Sequence, residues 1–313
     1  MRKGCILSKH LNEYEQFLKI QLLLEQNQLD QACYYLEQLY QANQDPEVFN
    51  LWITSLLEQN KYTQAYQLFD QWYLDSEQIY EDQDRLKLWL ETLFNQVHPE
   101  DYLIELYQVR EYLQVSQEED QWLDDYFQEA HQLLGLKRQL AQATASNSYQ
   151  GVLESLLASK DQTIMRDLRH LMRLGLDAYP VILELLANDQ LANYLKTEML
   201  EWLLDQGVSQ EVTYSWFGQI YQLDLSRLVK LTNMPIYKRL LRECDQLLSD
   251  QDPNLIPYFK RLIQELSKSA YPFVEDVIPD FSFLLSLNEP TPLNQDGYFV
   301  EAMKEAYTYG NLY

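Results

Sequence analysis

The chain has 313 residues, and 46% of them are hydrophobic, which is too many for a disordered polypeptide and enough for about two domains with separate cores. Glycine is scarce, and none occurs between Gly4 and Gly135, which argues against an N-terminal half built from β-hairpins. The formal net charge of −24 disfavours binding to nucleic acid or to an anionic membrane, and it fits either a basic partner or a need for solubility.

The first predicted elements repeat each other. EQNQLDQACYYL begins at residue 25, and EQNKYTQAYQLF begins 33 residues later, at residue 58. In each copy, apolar residues at helical spacing precede and follow the polar EQN, which predicts two helices joined by a short turn. Asn27 and Asn60 fall in the turns, where asparagine tolerates a left-handed backbone. Ala32 and Ala65 lie one turn into the second helix, where a small side chain lets two helices approach closely.

A helix–turn–helix unit of this length and pattern resembles the tetratricopeptide repeat. The signature positions are occupied by Leu23, Leu29, Ala32 and Leu36 in the first copy and by Trp52, Leu56, Tyr62, Ala65 and Phe69 in the second. Ile20 and Ile53 depart from the family, which prefers a small residue there. The resemblance implies helical hairpins stacked as an α–α superhelix, because one hairpin alone cannot bury its apolar face.

Less regular helical stripes continue this pattern to about residue 138. One contains Leu86, Trp89, Leu90, Leu93 and Phe94, and another contains Tyr102, Leu103, Leu106, Tyr107 and Leu113. We therefore expect residues 8–138 to form a tetratricopeptide-like repeat domain of roughly three and a half hairpins.

The polar stretch 142–151 is predicted to separate this domain from a second helical domain, 151–313. Helices are expected at 161–175, 177–188 and 190–206, with Gly175 and Gly207 as C-terminal caps and Asp161 and Asp189 as N-terminal caps. The segment DAYPVILELLAN and the helix after it resemble a HEAT-type repeat.

Residues 211–223 differ in composition and pattern from the helical segments around them. They are rich in β-branched and aromatic residues that alternate, which predicts either a small β-hairpin or another helix. If the segment is a hairpin, Trp216 and Phe217 are expected to be its contribution to the core. A last short helix, EAMKEAY, is expected to pack on the domain. The predicted fold class is therefore all-α with at most one small hairpin.

The sequence contains no recognisable catalytic constellation. Phosphate-binding, dinucleotide-binding, nucleophile-elbow and metalloprotease motifs are absent, and the four histidines are scattered, so we expect no catalytic residue, metal or cofactor. The three cysteines show no pairing pattern, and no stretch of 18 apolar residues occurs, which predicts a soluble cytoplasmic protein. The chain is similar to tetratricopeptide-containing cytoplasmic proteins of Gram-positive bacteria.

In the family that the repeats resemble, a concave groove lined by the first helix of each unit commonly holds a peptide or a partner segment. The resemblance places Tyr14, Phe17, Gln21, Glu25, Glu47, Asn50, Thr54 and Glu58 in that groove. The set is acidic and partly aromatic, which favours a basic or partly apolar protein segment over a C-terminal carboxylate. The leading hypothesis is a non-enzymatic scaffold or adaptor. The alternatives are an enzyme or enzyme subunit with a site between the two halves, and a peptide-responsive regulator.

Overall fold

A computed structural model describes residues 15–26, 28–73, 77–116, 119–159, 161–249, 252–286 and 297–309. Within these residues the fold is all-α with one two-stranded sheet, as the sequence predicts. The chain divides into two compact units, Met1–Leu134 and Gly135–Tyr313. In the stretch 142–151, helix continues as far as Ser146 and resumes at Gln150.

The first unit is built from consecutive helices with short connections. They are α1 (15–25), α2 (Leu29–Asn43), α3 (Pro46–Leu57), α4 (Tyr62–Trp72), α5 (Gln83–Gln96), α6 (Pro99–Ser116) and the first part of α7 (Leu123–Ser146), with a 3-10 turn at Glu77–Ile79.

Local chemistry explains where these helices begin and end. Asp45 accepts a hydrogen bond from the Glu47 amide at 2.9 Å and caps α3, which starts with Pro46 in the position where proline is best tolerated. Asp82 caps α5 in the same way, through the Arg85 amide at 2.8 Å. Asn60 has a φ of 56°, so the left-handed turn predicted between α3 and α4 is confirmed.

The 33-residue period persists in the burial of side chains across three helix pairs. Ile20, Ile53 and Leu86 occupy equivalent positions in α1, α3 and α5, and all three are fully buried. Fully buried residues also recur at the equivalent positions of α2, α4 and α6, which are Leu36, Phe69 and Tyr102. The third copy, which the sequence shows only as an irregular stripe, therefore uses the same core positions as the first two.

Each helix pair packs against the next one. Helix α3 contacts α2, α4 and α5, while α5 contacts α3, α4 and α6. Aromatic rings fill the junction: the Phe69 ring of α4 lies 5.2 Å from that of Phe49 in α3 and 5.1 Å from that of Trp89 in α5. The Tyr40 and Tyr73 hydroxyls, one period apart, meet at 3.3 Å. Aromatic pairs at these distances add stability beyond the area they bury.

The second unit is also largely helical. Its elements are the end of α7, α8 (Gln150–Leu157), α9 (Asp161–Arg173), α10 (Tyr179–Ala187), α11 (Asn193–Asp205), β1 (Glu211–Trp216), β2 (Gln219–Asp224), α12 (Pro235–Ser249), α13 (Ile256–Ala270), α14 (Val274–Val277), α15 (Phe281–Ser286) and α16 (Gly297–Tyr309). Gly175 and Gly207 follow α9 and α11 with φ values of 66° and 71°, which confirms both as helix-terminating residues.

Of the two structures that the sequence allows for residues 211–223, the β-hairpin is the one that forms. Strands β1 and β2 pair antiparallel, with Trp216 opposite Gln219, and Phe217 and Gly218 both adopt a positive φ in the two-residue turn. Strand β1 packs on α10, and Trp216 is buried between Phe273 and Tyr298, each with its ring centroid 4.8 Å away. The expectation that Trp216 joins the core is confirmed.

The last helix packs on the second unit, as predicted. Helix α16 contacts α9, α11, α13 and α14, and buries Phe299, Ala302 and Ala306. Helices α9 and α11 lie far earlier in the chain than α16, so these contacts close the core of this unit.

Replacement of Phe69 tests the stacking of the first unit. We expect Phe69→Ala to lower the free energy of unfolding by about 3–5 kcal/mol, because it empties a fully buried position that joins two helix pairs. Urea titration followed by circular dichroism measures the change. The matched control is Asp70→Ala on the exposed side of the same helix, which should change stability by less than about 0.5 kcal/mol. Equal effects of the two substitutions would contradict the described core.

Candidate binding surfaces

The residues that the sequence assigns to a groove lie on two helices of the first unit. Phe17, Gln21 and Glu25 are on α1 at intervals of four residues, so they share one side of that helix, and all three are exposed. Tyr14, the remaining residue predicted from the first repeat, lies outside the described residues.

The other predicted residues lie along one side of α3. Glu47 and Glu58 are exposed, while Asn50 and Thr54 are half-buried. The Thr54 hydroxyl donates to the Asn50 carbonyl oxygen at 2.9 Å, and the Asn50 Oδ1 atom is enclosed without a hydrogen-bond donor among the described residues. An enclosed polar atom without a partner costs about 1–3 kcal/mol, so the Asn50 side chain lowers the stability of this part of α3.

Helix α1 also exposes large apolar side chains beside the predicted residues. In the described part of the chain, Phe17 is 37% exposed, Leu18 45% and Leu22 52%. Neighbouring exposed apolar side chains of this size are typical of interaction sites. Helix α1 therefore combines an apolar strip with an acidic end at Glu25.

A cleft of about 480 Å³ lies on the other side of α3. Its floor is formed by Trp52 and Leu56, which are separated from Glu47, Asn50, Thr54 and Glu58 by roughly half a turn of the helix. One wall is a row of α2 residues, Asp30, Cys33, Tyr34 and Glu37. The other wall is a row of α4 residues, Gln64, Gln67, Leu68 and Gln71. Both rows have i, i+3, i+4, i+7 spacing, which places each row on one side of its helix. Nothing in the sequence shows that these two sides line the same cleft.

Polar contacts connect residues at and beside this cleft. The Lys61 ammonium pairs with Asp30, and both residues line the cleft. The Gln59 side chain donates to Cys33 Sγ at 3.4 Å and to the Ser55 carbonyl at 2.8 Å. Burial raises the pKa of the Cys33 thiol, so the protonated thiol predominates at neutral pH and Cys33 is a packing residue of the wall rather than a nucleophile.

A smaller cavity of about 220 Å³ is lined by residues that include Tyr80, Leu86, Leu113 and Trp122. The nearby Glu105 carboxylate accepts hydrogen bonds from Tyr80 Oη at 3.0 Å and from Trp89 Nε1 at 2.9 Å. Because both donors bond the same carboxylate oxygen, this group joins α5 and α6 and serves the packing of the unit.

The second unit contains a buried carboxylate and a buried ammonium group. Glu305 of α16 accepts hydrogen bonds from the backbone amides of Asn193 at 3.0 Å and Tyr194 at 2.8 Å, the first two residues of α11. A carboxylate in this position caps the helix and interacts favourably with its dipole. Burial raises the pKa of Glu305 from its ordinary 4.5 to about 7, although these amides and Lys196 oppose the shift.

Lys196, one turn into α11, is 1% exposed and donates from Nζ to the Ser215 carbonyl of β1 at 2.6 Å. Burial lowers its pKa from 10.5 to about 8, against the attraction of Glu305 and Asp189. Ionisable groups with a shifted pKa can mark active sites, but Lys196 is almost inaccessible to solvent and therefore to a substrate. Its observed contact ties α11 to the hairpin, which is a structural role.

Metal binding and membrane spanning have no observed basis in the described ranges. No three His, Cys, Asp or Glu side chains come together there in a way that could hold a metal ion. No helix in the part of the chain that the structure describes is both long and apolar enough to cross a membrane.

Comparisons of the chain with models of known protein families, with curated proteins and with solved structures find no match.

The cap formed by Glu305 generates a pH-dependent prediction. Because its pKa is raised in the folded protein, the folded state binds the proton more tightly than the unfolded chain between pH 4.5 and about 7. The contribution of Glu305 to stability is therefore fully present below pH 4.5 and is lost as the pH rises to about 7, by at most about 3 kcal/mol. We expect Glu305→Gln to remove this component of the pH dependence.

Urea unfolding at a series of pH values between these limits measures the effect. Glu301→Gln is the control, because Glu301 is an exposed residue of the same helix and pairs with Lys304 at 2.6 Å. The control should keep the pH dependence of the unchanged protein. A Glu305→Gln profile parallel to that of the unchanged protein would show that Glu305 titrates alike in the folded and unfolded states.

Proposed function

We propose that the first unit is a tetratricopeptide-like interaction module and that the protein is a non-enzymatic adaptor or scaffold. Its binding face consists of the exposed side of α1 with Phe17, Gln21 and Glu25 and the side of α3 with Glu47 and Glu58. The partner is a protein segment that carries both basic and apolar side chains.

The single observation that supports this proposal most strongly is the surface of α1. The chain leaves Phe17, Leu18 and Leu22 between 37% and 52% exposed while it buries Ile20 completely on the same helix. Each Å² of apolar surface that a partner removes from water contributes about 25 cal/mol to the free energy of binding. The helix thus holds two apolar strips, and only one of them faces the core.

Charge determines the kind of partner. Glu25, Glu47 and Glu58 are exposed acids on the same two helices, and helix α3 contains no lysine or arginine. A segment with lysine or arginine beside its apolar residues would be attracted to this face, whereas nucleic acid and anionic lipid would be repelled. The half-buried Asn50 adds a polar group that a partner backbone could engage.

The two cysteines that the structure describes fit an adaptor that acts in a reducing compartment such as the cytoplasm. Cys33 is half-buried and Cys244 is buried, and both are free thiols. Burial raises the pKa of each, to about 11 for Cys244, which keeps them protonated and slow to oxidise.

Charge reversal on the binding face tests the proposal. We expect the full chain, immobilised and exposed to an extract of its source cells, to retain at least one reproducible partner identified by mass spectrometry. The variant Glu47→Lys with Glu58→Lys should lose that partner by about tenfold or more, because two attractive charges become repulsive. Both side chains are exposed, so the fold should not change.

The control for this capture is the pair Glu37→Lys and Gln67→Lys, which adds the same type of charge on the opposite side of α3. Retention of the partner by this control and its loss from the first variant support the proposed face. A partner lost equally from both variants, or no reproducible partner at all, would contradict the proposal.

A further inference from the structure

We infer that the cleft between α2 and α4 is a second binding site, which takes a short extended peptide with a large apolar side chain flanked by lysine or arginine. This site is independent of the binding face proposed above, because Trp52 and Leu56 reach it from the other side of α3.

The dimensions of the cleft set the length of the peptide. Each wall runs from residue i to residue i+7 of its helix, which is about 10.5 Å at 1.5 Å per residue. Three residues of an extended chain cover about the same distance at 3.3 Å each. The volume of about 480 Å³ also lies within the range of pockets that hold small ligands or single peptide side chains.

The floor of the cleft selects an apolar anchor. Trp52 and Leu56 form the base, and the half-buried Leu68 adds an apolar surface at the side. Tyr34, 58% exposed, stands at the wall of α2 with its ring edge-on to that of Tyr35 at 5.4 Å. A large aliphatic or aromatic side chain of the peptide would be shielded from water between these groups, and the burial of its apolar surface favours binding.

The α4 wall favours an extended backbone over a helical one. The side-chain amides of Gln64, Gln67 and Gln71 are exposed and form no hydrogen bond with any residue that the structure describes. Each amide both donates and accepts, as the unpaired N–H and C=O groups of an extended peptide require. In a helical peptide these backbone groups already form hydrogen bonds with each other, so they would form none with the three glutamine side chains.

Charge selects the residues that flank the anchor. Between residues 28 and 73 the sequence has six acidic residues and one basic residue, Lys61. That lysine is already paired with Asp30, and the exposed Glu37 lies further along the same wall. A lysine or arginine of the peptide would meet Glu37 without a competing cation on the helices, since α2, α3 and α4 contain neither lysine nor arginine.

A selection with a known probe tests this inference. The immobilised full chain is exposed to a display library of random linear peptides, and the enriched peptides are synthesised with a fluorescent label. We expect them to share an apolar residue flanked by lysine or arginine. Their affinity, measured by fluorescence anisotropy, should fall about tenfold or more for Glu37→Lys with Gln67→Lys, because this variant places cations on both walls.

Glu47→Lys with Glu58→Lys is the matched control, since it reverses charge on the opposite side of α3 and should leave the affinity within about twofold. Both variants change exposed residues, and unchanged circular dichroism verifies that they fold. Failure to enrich any peptide, enrichment of peptides without basic residues, or a loss of affinity in the control as large as or larger than that in the cleft variant would overturn the inference. None of these outcomes contradicts a cellular partner that depends on Glu47 and Glu58, so the two proposals fail separately.

Discussion

A pair of short helices is too thin to enclose an apolar core, and this constraint shapes the first unit. Each pair must bury its apolar side against a neighbouring pair, so the same surface has to recur along the chain. The fully buried residues Ile20, Ile53 and Leu86 recur every 33 residues for this reason. The aromatic junction around Phe69, which touches rings from α3 and α5, shows how one pair depends on the next.

The same constraint leaves helix sides that face no neighbour. Helix α3 contacts neighbouring helices along the stack, yet two of its sides remain available. Glu47 and Glu58 are exposed on one side, and Trp52 lines the cleft on the other. One helix can thus serve two surfaces of different character. An exposed acidic side suits a protein segment with basic residues, whereas a narrow cleft lined with amides suits a short extended one. An adaptor with two such surfaces could hold two partners at once.

Local patterns predicted much of the fold. The turn at Asn60 and the terminating glycines Gly175 and Gly207 follow from residue types that strongly prefer one backbone conformation, whereas the pattern around Trp216 left a hairpin and a helix both open. The start of α11 did not follow. The sequence offered Asp189 as its cap, but the helix begins at Asn193 and its first amides bond to Glu305.

That error has a physical reason. Glu305 lies 112 residues from Asn193 along the chain, so no local window contains both the helix and its cap. The cleft escaped prediction for a similar reason, because its walls and floor come from three helices whose relative rotation is fixed only by packing. The eight predicted groove residues came from a family resemblance, and the structure describes seven of them, five exposed and two half-buried. What occupies these surfaces depends on a partner that the chain does not encode.

The dependence of each helix pair on its neighbours can be measured directly by hydrogen–deuterium exchange of Ile53→Ala compared with the unchanged protein. Ile53 is fully buried in α3, and α3 contacts α2, α4 and α5. The account predicts that amides in α2, α4 and α5 exchange faster together with those of α3, while amides in α11 and α13 keep their protection. Faster exchange confined to α3 would show that the helices do not rely on a shared, repeated core, and would contradict the account.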